Sequence, residues 1–158
     1  MASPRQHSVP RGTRVSSSGR KPAVVDPLPE PETVVDPTRA RQVVDYTMQR
    51  RAALHGLFSG GFRDDVCDAD QMLLRTAKYH GEPTQRRCPV CRKTPLTHVT
   101  YTFGAEMGET SGRVRATAEL AELAHQFGAF RVYVVEVCRE CHWNHLRRQS
   151  LHGRLHAS

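Results

Sequence analysis

Four cysteines carry most of the chemistry this chain can do. They come as two pairs, Cys88-Pro89-Val90-Cys91 and Cys138-Arg139-Glu140-Cys141. A C-x-x-C turn sets two thiolates on one side of a tight loop. Two such turns supply the four soft ligands of a tetrahedral zinc ion, with Zn–S near ~2.3 Å. One pair alone could instead be a thioredoxin-like dithiol. That chemistry wants its pair at a helix start, where the dipole lowers the thiol pKa. Arg92-Lys93-Thr94-Pro95 follows the first pair and reads as a turn leading into a strand. We therefore expect Cys88, Cys91, Cys138 and Cys141 to hold one structural Zn²⁺, although a four-thiolate set by itself suits iron as well. A closed shell leaves no position for an activated water, so the ion is expected to hold structure and do no chemistry.

Other residues with chemical capacity give weaker signals. Cys67 lies among Asp64, Asp65, Asp68 and Asp70, which oppose a thiolate, and it is expected to be buried and inert. Cys141-His142-Trp143-Asn144-His145 hints at a metal-dependent nuclease. The His and Asn crowd into four residues, and no ββα frame separates them, so Trp143 is expected to pack over the second knuckle. The basic C-terminal stretch offers another use for the same ring. Trp143, Arg147 and Arg148 would make a small base-stacking, phosphate-contacting patch, with Arg86 and Arg87 as further candidates. No Gly-rich phosphate loop, Ser/His/Asp spacing or deaminase H-x-E signature occurs. No acid, base and nucleophile come together, so no enzyme activity is expected.

The formal charge is +7, from 23 Lys and Arg against 16 Asp and Glu, which favours an anionic partner. Part of that excess has an internal use. Four thiolates around a divalent ion leave −2, and Arg86, Arg87, Arg92, Lys93 and Arg139 flank the knuckles to offset it.

The elements that must position the cysteines follow from periodicity. The pairs are 46 residues apart, and a strand, a loop, a helix and a strand fill the gap. This is the pattern of a zinc ribbon with an inserted helix. Val99, Tyr101 and Phe103 alternate with His98, Thr100 and Thr102, predicting a half-buried strand over residues 97–103. Residues 130–137 are β-branched and aromatic and predict a second strand, and Trp143 to Arg148 a third. Leu120, Leu123, Ala124 and Phe127 predict a helix over residues 117–127. Two helices are expected before the first pair. One starts at Asp36-Pro37, an N-cap followed by a residue suited to the first turn, and runs to Phe58 with Val43, Val44, Thr47, Leu54 and Phe58 on its stripe. The other starts at Asp68 with Gln71 in the capping-box position, buries Ala69, Met72, Leu73, Thr76 and Ala77, and closes on a left-handed Gly81.

Residues 1–38 hold seven of the ten prolines and few large apolar residues. They cannot offset the roughly 1–2 kcal/mol per residue of backbone ordering entropy, so a disordered tail is expected. The remaining residues, 39–155, predict a single α+β domain: a zinc-ribbon-like antiparallel sheet with an inserted helix and two N-terminal helices. No apolar run approaches the ~18 residues needed to span a membrane, and the first twenty residues lack a secretory h-region. Five cysteines without an export signal suit a cytoplasmic protein.

Several runs carry a resemblance. Arg41-Gln42-Val43-Val44-Asp45-Tyr46, Val66-Cys67-Asp68-Ala69, Leu74 to Gly81, Cys88 to Lys93 and Val135 to Leu146 resemble a small actinobacterial family of unknown function. The resemblance covers residues 39–151. It implies fold and cytosolic setting, and no activity. Family members begin close to the Arg41 segment, so the proline-rich stretch departs from the pattern. The expected role is a non-catalytic adaptor contacting nucleic acid or the transcription or translation machinery. The alternative is a protein–protein interaction module with structural zinc.

Overall fold

The structure, a computed structural model, describes residues 35–155. The disordered tail expected over residues 1–38 lies outside the described residues, except for its last four. Those four belong to the fold: the Pro37 carbonyl accepts the Gly153 N–H at 2.9 Å.

The chain forms β1 (Arg41–Asp45), α1 (Thr47–Phe58), α2 (Gln71–His80), β2 (Glu82–Arg87), β3 (Pro95–Phe103), β4 (Val114–Arg115), α3 (Leu120–Gln126), β5 (Phe130–Val137) and β6 (Asn144–His152). The strands make one six-stranded antiparallel sheet in the order β1-β6-β5-β3-β2, with β4 also paired to β3.

The region before the first knuckle departs from the sequence expectation. Asp36 does not start a helix. Its carboxylate accepts the Thr38 N–H at 2.9 Å and the Thr38 hydroxyl at 2.6 Å, closing a turn. Arg41–Asp45 then pairs with β6 as an edge strand, and its Val43 and Val44 stay exposed. β-branched residues suit a pleated edge better than a helix, and a partner strand was available. The helix begins only at Thr47, whose N–H donates to the Asp45 carboxylate at 2.7 Å. Phe58, expected on the buried stripe, is exposed.

The second helix starts two residues later than expected. Asp70 is its N-cap and accepts the Leu73 N–H at 2.7 Å. Asp68 is drawn away to Asn144, whose side-chain amide donates to it at 2.8 Å. Met72 is exposed, and Leu74 takes its place in the core. Gly81 is extended (φ −79°, ψ 153°), not left-handed. Its small size is used for close approach, since a Cβ there would lie 2.2 Å from the Thr97 methyl and 2.5 Å from the Ala77 carbonyl.

β3, β5 and β6 form as predicted, β6 running on to His152. Facing pairs Thr97–Val137 and Val99–Val135 line one side of the sheet, where Ala69, Leu73, Leu74 and Ala77 cover them. Pairs His98–Glu136, Thr100–Val134 and Thr102–Val132 line the other side. Over Phe130 and Val132 lies α3, with Leu123 and Ala124 buried as the stripe predicted. Fully burying a Leu, Val or Phe side chain contributes about 1.5–3 kcal/mol. At the opposite end of that side, α1 sets Ala53 and Leu54 against Leu96 and Trp143. The alternation in β3 predicted one wet face. Instead Thr100 and Thr102 are buried too.

Candidate metal centre

The two C-x-x-C turns fold alike because their local hydrogen bonding is alike. In the first, the Cys88 carbonyl accepts the Arg92 N–H at 3.1 Å. In the second, the Cys138 carbonyl accepts the His142 N–H at 3.0 Å. Arg92 (φ 57°) and His142 (φ 67°) both adopt the left-handed conformation, which turns each chain back on itself. Left-handed backbone is uncommon for residues with a Cβ and is held here by its surroundings. Each turn also aims backbone N–H groups at sulfur: Val90 donates to Cys88 Sγ at 3.4 Å, and Cys141 to Cys138 Sγ at 3.5 Å.

Strand pairing brings the turns together. The first turn joins β2 to β3, and the second joins β5 to β6. β3 and β5 pair directly through Thr97–Val137, one residue before Cys138. All four sulfur atoms consequently lie within 4.8 Å of one another. Cys88 to Cys141 and Cys91 to Cys138 are each 3.6 Å. A sulfur tetrahedron around an ion at ~2.3 Å has edges of about 3.8 Å, so the donor set fits one metal ion. Cys88 and Cys138 are buried, Cys91 and Cys141 half-buried, and all four are free thiols.

Without an ion, these thiols do not ionise alike. Burial pushes Cys88 and Cys141 up to about 12. Desolvation also works against Cys91, yet hydrogen bonds from Lys93 N–H, the Cys138 thiol and Thr94 N–H outweigh it and bring Cys91 down to about 7. Metal ligation requires thiolates, so loading displaces protons from the raised pair.

Cys67 is neither fully buried nor remote. Its sulfur lies 3.9 Å from Cys141 Sγ, outside the set of four. A short helical turn over Arg63–Asp65 delivers it there, and the following chain runs beside the second knuckle, with Ala69 N–H donating to the His142 carbonyl at 3.1 Å. Single-residue spacing carried no sign of this contact.

Trp143 packs as expected against the knuckles, beside Cys88, Leu96 and Cys138, and is 0% exposed. It therefore cannot stack on a base, which corrects its place among the nucleic-acid contacts. Its ring Nε1–H donates to Glu136 at 2.9 Å. Glu136, itself buried, also accepts from Arg50 Nε and lies 3.7 Å from Arg147 Nε. Arg147 is thus partly committed inside the protein. Arg87 donates to the Lys93 carbonyl at 3.0 Å, tying β2 to the first knuckle. Arg86, Arg87 and Arg148 are exposed. Sequence reasoning missed Glu136 and Arg50. An acid in an apolar strand, in Val-Val-Glu-Val, was the available sign.

Two similar thiol turns held together by an antiparallel sheet, with helices on both sides, define a zinc-ribbon-like α+β protein. The chain belongs to the family of unknown function DUF5318, which matches residues 38–158. The uncharacterized protein Rv0049 of Mycobacterium tuberculosis and the uncharacterized protein Mb0050 of Mycobacterium bovis are each 48% identical to it over 111 residues, 70% of this chain and 81% of theirs. No solved structure matches the chain.

Proposed function

We propose that this protein is a non-catalytic adaptor in which Cys88, Cys91, Cys138 and Cys141 hold a structural zinc ion, and that its basic rim contacts nucleic acid or a nucleoprotein assembly. The observation that carries the reading is the convergence of all four sulfurs within 4.8 Å. Four protein thiolates complete a tetrahedral shell, which supports a structural role, because a reacting ion needs an open position. A reduced thiolate cluster also supports a cytoplasmic setting. The rim consists of Arg86, Arg87, Arg92 and Lys93 beside the first knuckle, all exposed, with Arg148 on β6. With Trp143 buried, recognition would run through phosphates and not through stacked bases.

Binding of a labelled duplex across a salt series tests this. Affinity should fall with a log–log slope of about −0.9 per phosphate contact. The double variant Arg86→Gln/Arg87→Gln should flatten the slope by nearly two such steps. A salt-independent affinity refutes the phosphate contact.

One observation favours a protein-interaction module instead. Met48, Phe58 and Phe62 are 69%, 62% and 77% exposed around α1. Met48 and Phe58 stand at the two ends of α1 and Phe62 just beyond it, and exposed large apolar side chains that form a patch mark contact surfaces. Partners retained after nuclease treatment would support this second reading.

A further inference from the structure

The side of the sheet that carries α1 and α3 is not closed between them. A cavity of about 270 Å³ opens there. Its floor is His98 and Thr100 of β3 with Val134 of β5. Arg147 and Arg148 of β6 and Thr117 stand around it, and Asp45 lies at the rim. That volume is below the ~300–1,000 Å³ of sites for drug-sized ligands and suits one small group.

Two adjacent arginines of a regular strand would point to opposite faces. Here Val134 pairs with Arg148 and Val135 with Leu146, so Arg147 is the extra residue of a β-bulge. The bulge is what lets both arginines line the same cavity, and bulges are a common device for re-aiming side chains at functional sites. Arg115 pairs with Thr100 across β3 and β4, which puts its side chain on the same face, and its Nε is buried with no partner.

Arginines outnumber acids around this face by one, Arg50, Arg115, Arg147 and Arg148 against Asp45, Glu82 and Glu136. Arg50 and Arg147 share the single carboxylate of Glu136. Arg148 forms no ion pair with any described residue. Asp45, the acid at the rim, lies opposite Arg148 across β1 and β6 and attracts both Arg147 and Arg148, while its carboxylate also accepts the Thr47 N–H at 2.7 Å. Glu82, paired with His98 across β2 and β3, adds a further negative charge on this face and accepts the Thr117 N–H at 2.9 Å and its hydroxyl at 2.6 Å. Burial lowers the His98 pKa, more than Glu136 and Glu82 raise it, so the ring is a neutral donor at pH 7. No hydrogen bond to a described residue holds that ring.

From the bulged arginine pair, the uncommitted histidine and the open sheet face, we propose that this cavity is a binding site for one phosphate group. Planar guanidinium forks match phosphate oxygens, Thr100 and His98 offer donors from below, and the enclosed floor strengthens each bond. The group can come from a nucleic-acid backbone, in which case the site deepens the proposed function, or from a small phosphate compound, in which case it stands without it.

The test uses the full, metal-loaded chain and inorganic phosphate, followed by amide NMR. Saturable shifts centred on His98, Thr100 and Val134 are expected. Arg148→Gln should weaken binding about tenfold, whereas Arg75→Gln, on the helix covering the opposite face, should leave it unchanged. Unaltered Trp143 fluorescence in both variants certifies the fold. Absence of saturable shifts overturns the proposal, as does equal weakening by both variants. A labelled duplex then separates the sources. Displacement of bound duplex by phosphate assigns the site to the backbone. Phosphate binding without duplex binding assigns it to a small compound and removes the nucleic-acid reading alone.

Discussion

Replacing Cys138 by serine should unfold the region around both knuckles, and the size of the effect follows from topology. The metal would link two turns separated by 46 residues. Closing a loop of roughly 50 residues lowers the entropy of the unfolded chain by an amount equivalent to about 4 kcal/mol on the cross-link model. Whole domains are stable by about 5–15 kcal/mol, so this loss is a large share. For a folded part of this size it corresponds to a fall in Tm of roughly 10–20 °C. Cys138 is also 0% exposed, so the serine hydroxyl is left in a site shaped for sulfur. The readout is built in, because Trp143 is the single tryptophan and lies buried against Cys138. Chelation of the wild-type protein and Cys138→Ser should each shift its emission to the red and lower Tm together. Suppose metal analysis shows a metal-free wild-type sample that melts within about 2 °C of the loaded one and keeps a blue Trp143 emission. The thiol pairs would then not be the fastening of this fold, and the argument from loop closure would fail.

Three further outcomes are expected. Cys67→Ser should keep one metal per chain and its affinity, since Cys67 lies outside the four-sulfur cluster; a drop in stoichiometry would make it a ligand. Glu136→Gln should cost about 2–3 kcal/mol in urea unfolding, because Arg50 and Arg147 lose their shared counter-charge while Trp143 keeps an acceptor; a change below about 0.5 kcal/mol would contradict the network. Burial lowers the pKa of both His98 and His152 from the unfolded value of 6.5, so their contribution is fully present above that pH and is lost as pH falls from 6.5 towards the folded values. NMR titration should place both midpoints below 6.5, and a midpoint above it would show the charged form to be favoured.

The sequence alone pointed to the four cysteines that cluster, to the fold class and to three of the strands around them, β3, β5 and β6. Two C-x-x-C turns state their own chemistry, because ligand type and tight-loop geometry are local properties. Residues 130–137 and the α3 stripe were legible for the same reason: one period ran unopposed over each. The sequence did not decide Arg41–Asp45, where a weak helical stripe competed with β-branched residues and the free edge of β6 settled the matter. Nor did it decide which acid caps α2, since Asp68 and Asp70 are equally good caps and only the position of Asn144 claims Asp68. Trp143 shows the limit most plainly. Its type suits a stacking surface and a core alike, and its burial depends on α1 and the first knuckle, both far away in sequence. The contact of Cys67 with Cys141, the sharing of Glu136 by two arginines and the bulge that turns Arg147 beside Arg148 are of the same kind. Each is a relation between residues brought together by strand pairing, and no local pattern can encode a distance across the sheet.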